Sequence, residues 1–492
     1  MKNWAPACGV LLLALASRAL AAPPEIFSAL ALHPTDPNRI VLAYVWGGQG
    51  LLFSNDGGRS FSLRCGAAVS SSFTKSRLPL VLTEDGETLL GTFEGLVRGG
   101  VDGCGFADDV DLVGLQIADF APHPTDPKVT FLATANASDG RRATGLVRRN
   151  GDGTFSELGS SSDAGAAENA RVSINRLAVG GRAEGGLRFY ASAVTADEAG
   201  NYRATLRHSD DEGVSWVSFD VAGAEGTRVL LLGVDPTNPD RVAIAIQRDD
   251  AKDSLLVSAD AGQTFEERLQ IFEIGASSVT RDGRLWVGDA GGEAEYSQPG
   301  GLYVFDDFRA PARKLATYPV RCLGYRALDG ALFGCKRNEF GRIDPANGEF
   351  EALTSFAQVG GFVSCAGEEL APVCRPQLCD NWCGVLHYAS APLCDVYDGV
   401  NPLCGPAARS YGQVSPATSA AGASNPALPG DAPPTPVAAP GAARPDGACQ
   451  IGSASADPPL ALAAFVAALG LWLRRRHLQP RSSSQPLKWR KS

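Results

Sequence analysis

SADAGQTF, residues 258–265, follows the aliphatic run Leu255 to Val257 and places an aspartate, a glycine, a hydroxyl and an aromatic ring within eight positions. The Asp260 carboxylate can accept backbone N–H groups across a corner, Gly262 tolerates positive φ, and Thr264 and Phe265 can begin a new strand. The stretch therefore reads as a turn between two strands. It is also one of a set: SNDGGRSF occupies 54–61, SDDEGVSW occupies 209–216, and a shortened relative, NGDGTF, occupies 150–155. Asp56, Asp211 and Asp260 are equivalent. A repeated corner explains three such acids; a single active site does not.

A second phrase recurs ahead of these corners: HPTDPNRIVLA from 33, HPTDPKVTFLA from 123 and DPTNPDRVAIA from 235. Its prolines preset φ, and Asp36 can fold back on its own backbone, so the phrase is a corner that feeds a β-branched strand. His33 and His123 occupy the slot that holds Asp235 in the third copy, which makes them turn residues. Asp211 and Asp260 are 49 residues apart, and the two HPTDP phrases are 90 apart, or twice 45. Four short strands per 40 to 50 residues is the period of a β-propeller, which hides sheet edges by radial repetition. Weaker units begin at 81, 174, 277 and 322. Together they predict an all-β, seven-bladed propeller over 26–356, six or eight blades remaining open, with units at 26–65, 79–106, 115–158, 172–220, 228–268, 273–316 and 321–354.

The ends have a different texture. Residues 1–21 pair Lys2 with the apolar run GVLLLALA and finish on ALA, the layout of a cleaved secretory signal. Six cysteines crowd 357–405, a length that needs covalent staples. Cys374, Cys379, Cys383 and His387 have zinc-like spacing, but export favours disulfides. Ten cysteines are expected to pair, with three bridges inside this module, Cys322 with Cys335, and Cys65 with Cys104. Residues 406–448 are Pro/Ala-rich without a hydrophobic period and predict a disordered linker. A short hydrophobic helix follows within 449–476. Its apolar run from Leu460 to Leu473 spans about 21 Å at about 1.5 Å per residue, short of the roughly 30 Å bilayer core. Arg474, Arg475, Arg476 and the basic tail 477–492 predict a cytoplasmic side for that end.

Charge narrows the partners. Of 44 basic and 54 acidic residues, nine basic ones lie in the signal or beyond the apolar run, leaving 35 against 54, a net charge near −19 for the exported part. Such a surface repels phosphates and disfavours nucleic acid.

The octapeptides resemble the Asp-box (BNR) repeat, S/T-x-D-x-G-x-S/T-W/F, of sialidases, sortilin-type receptors, photosystem assembly factors and some glucan hydrolases. That resemblance implies a propeller in which Asp56, Asp211 and Asp260 are structural and remote from any active site. It leaves function open, because one scaffold hosts unrelated activities. The C-terminus is similar to the MYXO-CTERM sorting signal, with the lone Cys449, a short apolar helix and the arginines 474–476. This implies handling by a sorting protease and display on the cell surface or outer envelope.

No catalytic set emerges. A sialidase would carry Phe/Tyr-Arg-Ile-Pro ahead of its first corner; the nearest string, GRIDP at 341–345, follows the last corner and has Asp344 at the proline position. GGEAEYSQPGG opens no helix, so a phosphate-loop reading fails. No cofactor or metal set is expected. In an antiparallel blade the first and third turns share one end, and the second turn lies at the other. The second turns are long, and long loops on a rigid scaffold carry binding residues. They nominate Arg141, Arg142, Asp197, Glu198, Tyr202, Asp249, Asp250, Glu293 and Tyr296. The expected function is an exported, cell-surface, non-catalytic binding or scaffold protein for a protein, glycan or cation. The alternative is a carbohydrate-active hydrolase or lyase on the same scaffold.

Overall fold

The computed structural model describes residues 27–375, apart from 45–49, 72, 74–77, 136–144, 161–170, 197–201, 226, 249–251, 292–299, 337–338, 356–358 and 360. The expected signal, linker, hydrophobic segment, Cys449 and the arginines 474–476 lie outside the described residues. Seven four-stranded antiparallel sheets, each built from four consecutive strands, form blades at 27–65, 80–108, 116–160, 171–220, 228–271, 274–316 and 322–355. The chain is an all-β, seven-bladed propeller. The weak units are complete blades, although the outer strand of blade 2, Ala107–Asp108, has only two residues.

Burial explains the sequence pattern of each blade. Second and third strands such as Ile40–Tyr44 and Gly50–Ser54 are buried at every position, because blades stack on both faces of each sheet. They therefore read as continuous apolar runs rather than alternating ones. Outer strands such as Val217–Asp220 are largely exposed to solvent. Aromatic rings fill the seams: Phe131 of blade 3 meets Phe189 of blade 4 edge-on at 4.8 Å.

The repeated corners are superimposable in their bonding. In blade 4, Ser209 Oγ donates to Asp211 Oδ1 (2.8 Å) and accepts from Gly213 N (2.8 Å), while Ser215 donates through its N to Oδ1 (2.8 Å) and through its hydroxyl to Oδ2 (2.5 Å). Asp56 with Ser54 and Ser60, and Asp260 with Ser258 and Thr264, repeat each bond. Gly213 has φ 85°, which permits the turn. In the first turns, His33 Nδ1 accepts from Asp36 N (3.0 Å), His123 Nδ1 from Asp126 N (3.0 Å), and Asp235 Oδ1 from Thr237 N (2.8 Å). The two histidines and Asp235 are thus turn acceptors. Burial lowers the pKa of both histidines, consistent with the neutral ring that an acceptor requires.

Among the described residues no strand is shared between the first and last blades, in line with the predicted units; the disulfides depart from the sequence expectation. The chain after blade 7 returns across blade 1 as a strap: Leu63 N donates to Gly361 O (2.8 Å) and Val363 N to Leu63 O (2.9 Å), a parallel bridge. Cys65 pairs with Cys374 and Cys104 with Cys365, joining the strap to blades 1 and 2. The expected Cys65–Cys104 bridge is therefore corrected. Its partners are 309 and 261 residues away in the chain, a connection that nearness in sequence does not reveal. The same two bonds correct the idea of three bridges confined to 357–405, and remove Cys374 from the zinc-spaced set. Cys379, Cys383, Cys394 and Cys404 lie outside the described residues. Cys322–Cys335 forms as expected, between paired positions of adjacent strands.

Candidate functional site

The end of the propeller that carries the first and third turns binds its own charges internally. Arg149, 1% exposed, reaches from blade 3 to Asp85 and Glu87 of blade 2, at 2.6 Å to each. Arg188 of blade 4 holds Asp210 in a two-pronged bond (2.5 and 2.8 Å) and also meets Asp240 of blade 5. Arg241 joins Asp235 to Asp307 of blade 6, each at 3.2 Å. Arg326 of blade 7 grips Asp329 and donates to Pro37 O of blade 1 at 2.6 Å. Four seams are latched in this way. The hydrogen bonds from Arg188 lower the Asp210 pKa, and those from Arg326 do the same for Asp329. These guanidinium groups are already committed to neighbours and form no open anion clamp. Sequence reasoning missed them because the arginines occupy different strand positions from blade to blade.

An axial cavity of about 540 Å³ runs along the innermost strands of all seven blades. Its shape follows from β-bulges. Register shifts in blades 1, 3, 4, 5 and 6 leave Ser28, Ala118, Asn175, Leu232 and Gly275 unpaired in the ladder, and all five line the cavity. Neighbouring blades satisfy several groups beside the bulges: Leu177 N donates to Asp119 Oδ2 (2.9 Å), Ser277 Oγ to Leu232 O (2.7 Å), and Ile274 N to Asp253 Oδ2 (2.8 Å).

The charged residues among the described lining are Asp119, Arg176 and Arg321. Arg176, half-exposed, pairs with the largely buried Asp119 at 3.4 Å. Burial raises the Asp119 pKa against the opposing pull of Arg176. Aligning the HPTDP repeats would have found this acid, since it stands where blades 1 and 5 carry Ala29 and Leu231. A smaller notch of about 120 Å³ shares Leu78, Pro79, Ala118 and Asn175 with the cavity and extends to Thr92 and Phe93, at the second turn of blade 2. The cavity lining is thus continuous with the second-turn end.

Glycoside hydrolysis by two carboxylates needs both across one cleft. The described lining supplies one, Asp119, already bonded to an amide and a guanidinium. Among the described residues no group of three or more His, Cys, Asp or Glu side chains is placed to hold a metal. Of the nominated second-turn residues, Tyr202 opens the third strand of blade 4, Tyr202–Ser209. Arg141, Arg142, Asp197, Glu198, Asp249, Asp250, Glu293 and Tyr296 lie outside the described residues. Asp56, Asp211 and Asp260 all sit in third turns, away from the cavity lining.

No protein-family model matches the chain, and no curated protein matches it either. Solved structures are similar at low identity. YCF48 from Cyanidioschyzon merolae is similar at 13% identity and TM-score 0.39, covering 65% of this chain and 95% of that one. The GH74 enzyme of Niastella koreensis is similar at 13% identity and TM-score 0.34, with 69% and 66% covered. Trypanosoma rangeli sialidase, solved with the inhibitor DANA, is similar at 11% identity and TM-score 0.36, with 67% and 54% covered, so the chain spans about half of its length. These neighbours differ in function, and the propeller assignment rests on the seven sheets of the chain itself.

Proposed function

We propose that the chain is an exported, cell-surface binding or scaffold protein that engages its ligand, a protein, glycan or cation, at the second-turn end and performs no chemistry on it. The observation that carries this reading is the asymmetry between the two ends. Described polar groups at the first- and third-turn end are used in corners and inter-blade latches, whereas the cavity that holds Asn175, Asp119 and Arg176 has a lining that continues to the second turn of blade 2. Binding residues on loops above a rigid scaffold are the usual arrangement. Three disulfides accord with an oxidising compartment. In this proposal the corners at Asp56, Asp211 and Asp260 are Asp-box repeats, and Cys449 with the arginines 474–476 forms the sorting element that a protease handles.

The test is an array of glycans and surface proteins probed with the full chain, alongside turnover assays on polysaccharides. Selective binding without turnover is expected. Polysaccharide turnover without selective binding would overturn the proposal in favour of a hydrolase or lyase.

A further inference from the structure

Three of the seven large apolar side chains that stand exposed among the described residues belong to the second turn of blade 2 and the link that follows that blade: Phe93 (53% exposed), Val110 (86%) and Val113 (56%). Singly, such residues are ordinary; grouped on a rigid support they mark an interaction surface. The support is rigid in detail. Phe93 tips the turn 92–95, in which Thr92 Oγ1 accepts from Glu94 N (3.2 Å) and Gly95 N (3.0 Å). Val110 and Val113 stand on the link to blade 3, where Asp109 Oδ1 accepts from Asp111 N (3.0 Å) and Leu112 N (3.2 Å) while its other oxygen holds Arg98 at 3.1 Å. Gly114 N donates to Glu94 O at 2.7 Å and ties the two loops together. Leu112 and Leu115 are buried beneath them. A preformed surface of this kind loses little conformational entropy on binding.

Charge supplies the partner's chemistry. Glu94, Asp108 and Asp111 are exposed around the apolar tips, and neither Glu94 nor Asp111 makes an ion pair among the described residues. The notch beside Phe93 adds a recess of about 120 Å³ lined by Gln116, Ile117 and Asn175. We propose that this surface docks a segment of a partner protein in which an aliphatic or aromatic side chain is flanked by lysine or arginine. The apolar side chain covers Phe93 and Val113 and enters the notch, and the cations face the three carboxylates. Phosphate-bearing partners meet those carboxylates with like charge. This inference rests on the binding reading above and locates one site for it.

The test titrates the full chain against three labelled peptides of equal length by fluorescence anisotropy: a Lys/Leu/Phe peptide, a Glu/Leu/Phe peptide and a Lys/Ser peptide. The Lys/Leu/Phe peptide is expected to bind about tenfold more tightly than either control. Phe93→Ser and the double variant Glu94→Lys/Asp111→Lys are each expected to weaken it about tenfold, with melting temperature unchanged. Equal binding of the three peptides overturns the proposal, as does indifference to both variants. A concentration-dependent dimer abolished by Phe93→Ser would assign the surface to a second copy and overturn it too. An array ligand lost in Arg176→Ala but retained in Phe93→Ser would leave the general binding reading standing while removing this site.

Discussion

The two ends of the propeller are made from the same repeats but bond their polar groups differently. At the first- and third-turn end, each corner aspartate is bonded by the hydroxyl and N–H of its own turn, and arginines such as Arg149 and Arg188 bridge one blade to the next. At the second-turn end, bulges release backbone from the ladders around an axial cavity, and blade 2 with the link that follows it exposes Phe93 and Val113. The arginine latches and the proposed recognition surface therefore lie at opposite ends, while the Cys65–Cys374 bond ties the strap at the second-turn end, where Cys65 pairs with Gly50. Substitutions in the latches and corners should cost stability and spare binding, and those at Phe93 should do the reverse.

The largest expected effect asks how much the strap's bond to blade 1 adds to the arginine latches. Cys65→Ser/Cys374→Ser removes the strap's bond to blade 1 across a separation of 309 residues. A loss of about 2–5 kcal/mol is expected in urea unfolding. A loss near zero would mean that the remaining Cys104–Cys365 bond and the Arg326 contact with Pro37 suffice to hold blade 7 and the strap to the ring. Next, Arg149→Ala leaves Asp85 and Glu87 without their shared cation and opens a void. Because both carboxylates retain some contact with water, the expected cost is about 2–3 kcal/mol, below that of a fully buried pair.

A smaller effect tests the corners. Asp211→Ala removes several hydrogen bonds at an exposed turn, an expected cost of about 1–2 kcal/mol by thermal melting. The Ser215 hydroxyl and N–H lower the Asp211 pKa below 3.8, so the folded state holds this proton less tightly than the unfolded chain. The stabilisation is therefore present above pH 3.8 and lost as pH falls through the folded-state value. Wild type should lose stability over that acid range more steeply than Asp211→Ala. Smallest in stability is Phe93→Ser, expected within about 0.5 kcal/mol of wild type because the ring is half in water. A large loss of stability there would erase the distinction between the two ends.

The blades were legible because their corners repeat. SADAGQTF and its relatives set the phase, and each predicted unit falls within a few residues of an observed blade, the weak ones at 81 and 277 included. Local hairpin geometry likewise gave Cys322–Cys335. Contacts that depend on ring closure were not legible. Cys65 finds Cys374 only because the strap lies along blade 1, and no local pattern encodes that path. Of the candidate site, only the end of the blade was legible. Strand order placed the second turns at the opposite end from the corners, but Asp119 was hidden by reading each repeat for what it shares, when its departure from Ala29 and Leu231 was the informative feature. Phe93 and Val113 were hidden because exposure in short connecting loops is decided by packing of Leu112 and Leu115 rather than by periodicity.

The central claim is that recognition belongs to the second-turn end. Its most direct test is one array experiment with three proteins: the full-length wild type, Arg176→Ala at the cavity and Asp211→Ala at a corner. The account predicts that the wild-type binding signal is lost in Arg176→Ala and retained in Asp211→Ala. Loss in Asp211→Ala with retention in Arg176→Ala would contradict it.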